Sequence, residues 1–165
     1  MLACCLATVT LMGADVTGKW TYQEAEGWTI FGTKVPEPNP SIETVTLDFK
    51  ADGPALTGVM HWHSTTTITK TGKKTQSGET RVKLINGKID GDNVSFDLVN
   101  IIQNLGVKFT THYTGTLDND TIHFTRSRME GDFSYTDGGT GAQPKRRKGG
   151  REIKSTVDAH RVAAN

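Results

Sequence analysis

The chain has 165 residues, of which 35% are hydrophobic, 7% aromatic and 22% charged, with a formal net charge of +1. That length suits one domain with one modest core. The near-zero charge gives no global reason to expect a nucleic-acid or membrane partner, and no apolar run is long enough to cross a bilayer as a helix.

Leu2 to Ala14 is apolar and free of charge. It reads as the h-region of an export signal ending near Gly13-Ala14, so residues 1–14 are expected to be a signal remnant and the protein to be secreted or periplasmic. No basic segment precedes it, and Met12 is large for its place; a buried first strand is the other reading. Both cysteines, Cys4 and Cys5, lie in this segment. Neighbours in sequence do not readily meet disulfide geometry, so no structural disulfide is expected.

From Val16 onward the apolar residues follow a two-residue period. Val16, Gly18, Trp20 and Tyr22 share one face, as alternate residues of a strand do. Glu24 to Ser41 breaks the pattern and reads as an insertion. Val45, Leu47 and Phe49 resume it up to an Asp52-Gly53-Pro54 turn, and Leu56, Gly58, Met60 and Trp62 return. Ser64 to Gly78, rich in threonine and lysine, reads as a polar extension of two strands around Thr71-Gly72-Lys73-Lys74. Near Leu84-Ile85 the phase slips by one, which predicts a β-bulge.

Next comes an internal repeat. Gly87-Lys-Ile-Asp-Gly-Asp-Asn-Val-Ser-Phe96 recurs as Gly115-Thr-Leu-Asp-Asn-Asp-Thr-Ile-His-Phe124. Each copy is a strand, an acidic turn and a strand, because Asp-Gly and Asp-Asn tolerate the positive φ of hairpin turns. Turn centres at Gly91-Asp92 and Asn119-Asp120 put Ile89 opposite Val94 and Leu117 opposite Ile122. They also put Gly87 opposite Phe96 and Gly115 opposite Phe124, with each ring covering a bare glycine. Val107, Phe109, Tyr113 and Leu117 form a further stripe. Gly131 to Arg151 is a second insertion, and Val157, Ala159 and Arg161 share the face of the last strand. No segment sustains a helical period. The expected fold is all-β: an antiparallel up-and-down meander of about eight or nine strands over residues 15–165, forming a barrel or half-barrel with insertions 24–41 and 131–151.

The Gly18-Lys19-Trp20 start resembles the lipocalin and avidin-like (calycin-like) barrels. In lipocalins this tryptophan closes one barrel end and an arginine of the last strand packs over it; the resemblance gives that part to Arg161. The order of parts is also similar to a group of uncharacterised small secreted bacterial β-barrel proteins. They share the Gly-x-Trp start, a hairpin like Asp52 to Gly58, one like Gly91 to Phe96, and an ending like Ala159-His160-Arg161. The resemblance covers most of Asp15 to Val162. It implies a fold more than a function, and the biotin contacts of avidins have no counterpart.

Few residues suggest chemistry. His61 and His63 point the same way on a strand, roughly 7 Å apart, a spacing that suits zinc or copper. The phase of Met60 and Trp62 turns both outward, so no metal site is expected. Asp90, Asp92, Asp118 and Asp120 are explained by turn chemistry, and no catalytic triad or phosphate loop is present. Lys145, Arg146, Arg147, Lys148 and Arg151 form a basic run in a glycine-rich loop, which reads first as a solvated, disordered insertion and otherwise as a contact for an anionic polysaccharide, nucleic acid or lipid headgroups. Trp20, Tyr22, Trp62, Tyr113, Arg126 and Arg161 fall on inner faces and are the candidate ligand contacts, with both arginines expected at the rims, half in water and stacked on aromatics.

The leading expectation is a secreted barrel module, without a cofactor, that binds a small hydrophobic or anionic ligand or a polysaccharide, or that serves a structural role. A small secreted enzyme, using His61/His63 or an aromatic-lined cleft, is the alternative. Adhesion to an anionic polymer through residues 145–151 is the third.

Overall fold

In a computed structural model, residues 15–25, 42–68, 74–102, 107–129, 134–135 and 150–163 are described. The strands are β1 (Gly18–Ala25), β2 (Ile42–Asp52), β3 (Ala55–Ile68), β4 (Lys74–Asp90) and β5 (Asn93–Ile102), then β6 (Val107–Asp118), β7 (Thr121–Met129), β8 (Ser134–Tyr135) and β9 (Glu152–Arg161). All pair antiparallel. From β1 to β7 each strand lies beside the next; β9 follows β7 and returns to β1. The wall is therefore a closed eight-stranded meander, and closure removes both sheet edges. Among the described residues the two-residue β8 pairs only with the start of β6.

Local chemistry explains the hairpins. The ladders close at Asp52↔Ala55, Asp90↔Asn93 and Asp118↔Thr121, leaving two-residue turns. Gly53, Gly91 and Asn119 lead these turns with φ of 56°, 57° and 53°, the left-handed region that glycine and asparagine tolerate best. Gly115 pairs with Phe124 as the repeat predicts, and a Cβ there would meet the Phe124 ring at 2.6 Å.

Gly87 is different. The β4–β5 register skips between Ile85 and Lys88, and Asn86 takes φ 55°. The predicted bulge therefore reaches Gly87 and displaces it from Phe96. A Cβ on Gly87 would collide with the Leu56 carbonyl of β3 instead, so the close approach is backbone to backbone. The 24–41 insertion is also shorter than the sequence implies, since Glu24 and Ala25 pair with Glu43 and Ile42 as the last rungs of β1 and β2.

The barrel's two ends differ. All three two-residue turns, the Asp15–Thr17 segment and the Arg161 end of β9 lie at one end, the turn end. Ala25, Ile42, Ile68, Lys74, Ile102, Val107, Met129 and Glu152 end their strands at the opposite end, the loop end. Towards the turn end the interior is filled by Trp20, Leu47, Phe49, Leu56, Ile122 and Ala159. Phe96 joins them to the middle of the barrel, stacked on Tyr113 at 4.6 Å and edge-on to Phe49 and Phe124. An eight-stranded barrel is just wide enough for side chains to fill or for one small ligand to enter, and here aromatic rings fill its lower half.

Candidate functional site

Trp20 and Arg161 lie on neighbouring strands in register. The guanidinium sits 4.4 Å from the Trp20 ring centroid. It also donates to the carbonyls of Asp15 and Thr17 and to the Asp120 carboxylate. Trp20 donates its indole N–H to the Val16 carbonyl at 2.9 Å and is fully buried. Arg161 is thus at a rim on an aromatic face, as expected. Its donors go to the N-terminal segment and the β6–β7 turn, which makes it a clasp of the turn end.

Tyr22, Tyr113 and Arg126 are brought together higher in the barrel. The Arg126 expectation is corrected: it is 4% exposed and lies inside, not at a rim. Its position in β7 gives it an inward phase opposite Tyr113 and Ser155. Burial of a guanidinium requires a partner, and Glu24 supplies it, with Arg126 Nη2 2.6 Å from Glu24 Oε2. Arg126 Nε donates to Ser155 Oγ at 3.0 Å. Burial pulls the Arg126 guanidinium down, but the Glu24 hydrogen bond and the nearby phenols and carboxylate more than offset this, so it stays charged.

These bonds span the closing seam. Among the described residues β1 and β9 pair only at Trp20↔Arg161 and Thr21↔His160. Towards the loop end, Arg126 connects them through Glu24 on β1 and Ser155 on β9. The guanidinium lies 5.8 Å from the Tyr22 ring centroid, and the Tyr22 and Tyr113 hydroxyls are 3.4 Å apart. Burial, and for Tyr22 next the neighbouring Tyr113 phenol, raises the pKa of both hydroxyls above the ordinary value. They therefore remain neutral groups able to donate and accept.

Two members of this cluster have no place in the sequence-based set. Arg128 is 5% exposed and lies 5.5 Å from the Phe109 ring; its signal was available, since it shares the face of Arg126 two residues on. Glu24 continues the inward stripe of Trp20 and Tyr22, a signal hidden only because the expected insertion begins there. Trp62 is partly buried against the core and pairs with Val45, itself opposite Tyr22.

The remaining candidates lie outside the barrel. His61 Nδ1 is 3.2 Å from Glu79, and His63 is exposed. His112 and His123 pair across strands with Asp97 and Asp158 at 2.6 and 2.8 Å. Among the described residues no group of three or more His, Cys, Asp or Glu is placed to hold a metal. Arg151 is exposed at the approach to β9. Lys145 to Lys148, like Cys4, Cys5 and the rest of residues 1–14, lie outside the described residues.

Comparison with known protein families, with curated proteins and with solved structures gives no match. The interior cluster of Tyr22, Glu24, Tyr113, Arg126 and Arg128 sets guanidinium planes, neutral phenols and aromatic faces inside a closed wall.

Proposed function

We propose that the protein is an exported binding barrel that takes a small ligand through its loop end. The observation that carries this reading is the division of the interior. Apolar side chains plug the turn end, whereas the loop half sets buried arginines and phenols, with the half-buried Glu24 carboxylate, among apolar side chains such as Val45 and Leu98. A barrel that served only as a scaffold gains little from this, because well-packed apolar residues stabilise a core at least as well as a buried ion pair. Polar groups held in fixed geometry inside an otherwise apolar barrel are what a binding site needs. Tyr22, Tyr113 and Arg126 orient the ligand, Trp62 and Arg128 flank it, and Glu24 holds the Arg126 fork. The Leu2–Ala14 segment supports the export part of the proposal.

The test uses the full chain expressed with its own N-terminus. Protein recovered outside the cytoplasm should have lost residues 1–14 by intact mass. Native mass spectrometry should show a small-molecule adduct that denaturation releases. A compound so identified, at 100 times its Kd, stabilises by about 2.7 kcal/mol, a rise in Tm of roughly 5–10 °C at this chain length. Its fluorescence quenching should vanish in Trp62→Phe. An adduct-free protein that no member of a broad metabolite panel stabilises would refute the binding function, and retention of residues 1–14 would refute export.

A further inference from the structure

The outer wall carries a second recognition surface, away from the interior cluster. A depression of about 560 Å³ lies on the outward face of β4 to β7, beside the β4–β5 turn. The register arranges its side chains in two rows. Lys88, Ser95, Thr114 and Thr125 are cross-strand neighbours in sequence across the four strands. One step nearer the turn, Asp90, Asn93, Thr116 and His123 form a parallel row. Strands lie ~4.8 Å apart, and same-face residues along a strand ~7 Å apart, so the depression is lined by a regular lattice of hydrogen-bonding groups.

The lattice has a defined chemistry. No apolar side chain enters it, because the Val94 side chain is buried in the core and Gly115 has none. A lipid or an aromatic ligand therefore finds no large apolar side chain to pack on. Lys88 and Asp90 offset each other, so the surface does not select for an ion of either sign. Asn93 Nδ2 donates to the Asp90 carbonyl and Thr116 donates to Asn93 Oδ1 at 3.4 Å, whereas the hydroxyls of Ser95, Thr114 and Thr125 can both donate and accept, as the hydroxyls of a sugar do. His123 Nδ1 is held by Asp158 at 2.8 Å, which fixes the ring and leaves Nε2 for a ligand. The short hydroxyl side chains lie between Lys88 and Asp90 on β4 and His123 on β7, so hydrogen-bonding positions repeat across four strands, which suits a chain molecule better than a compact one.

We propose that this face binds an uncharged glycan chain laid across β4 to β7. Without an aromatic platform, every contact is an exchange of hydrogen bonds with water, so a dissociation constant in roughly the millimolar range is expected.

Amide chemical-shift titration of the full chain tests this, with cellohexaose, xylohexaose and laminarihexaose as uncharged probes and a hexagalacturonate as the charged comparator. At least one uncharged hexamer should give saturable shifts at Ser95, Thr114, Thr116 and His123. The double variant Thr114→Val/Thr125→Val removes two exposed hydroxyls with little change of shape, should melt as the parent does, and should weaken that binding at least tenfold. The proposal is overturned by unsaturable or absent shifts with all three hexamers, by equal saturation with the hexagalacturonate, or by shifts centred on Tyr22 and Trp62. Undiminished binding by the folded double variant overturns it too.

Discussion

Arg161→Ala should unclasp the barrel. The guanidinium lies 4.4 Å from the Trp20 ring and donates to two backbone carbonyls and one carboxylate. A cation over an indole is worth about 0.5–2 kcal/mol. Charged hydrogen bonds to carbonyls contribute about 1.5–3 kcal/mol each when buried, less here because the Arg161 side chain is 27% exposed. The Asp120 partner is 81% exposed and adds little. The expected loss is about 2–4 kcal/mol, a fall in Tm of roughly 5–15 °C. Arg161→Lys should recover little of it, since an ammonium cannot lie flat on the ring while serving both carbonyls. Arg151→Ala, at an exposed position, serves as the control and should stay within about 0.5 kcal/mol of the parent. Urea unfolding followed by tryptophan fluorescence measures all three. If Arg161→Ala keeps the parental midpoint, the closing seam is held by strand pairing alone and the clasp is wrong.

Two glycines of the repeat should respond unequally. Gly115→Ala presses on the Phe124 ring and the Ile122 side chain, which can shift, and should cost about 1–3 kcal/mol. Gly87→Ala drives a methyl into the Leu56 carbonyl, which cannot move without breaking the sheet, so it should cost more, with the difference read from denaturant midpoints. The phenols of Tyr22 and Tyr113 should ionise late. In Tyr135→Phe, phenolate absorbance should stay flat as the pH passes 10 and rise only with unfolding. Their raised pKa values add stability that is complete below the unfolded phenol's value of about 10. It is lost as the pH climbs from there through the folded values, so Tyr22→Phe should flatten the alkaline fall in stability.

The hairpins were legible because their causes are local. Gly91 and Asn119 stand where a two-residue turn needs positive φ, and the alternation on either side sorts inward from outward residues whatever the neighbouring strands do. That alone placed Trp20, Tyr22, Tyr113, Arg126 and Arg161 on the inner face and His61 and His63 on the outer one. Closure could also be argued in advance, because a meander with apolar stripes on every strand removes its edges only by joining the first strand to the last. What alternation does not contain is height: it says which face a residue is on, but not how far along the barrel axis it lies. Height follows from register and from the bulge at Asn86, and these depend on contacts between strands far apart in sequence. Only the tertiary structure therefore moved Arg126 from the rim to the interior and set Glu24, from beside an apparent insertion, against it. For the same reason it brought the Leu56 carbonyl over Gly87 and gathered the buried arginines and phenols on the loop side of the apolar plug.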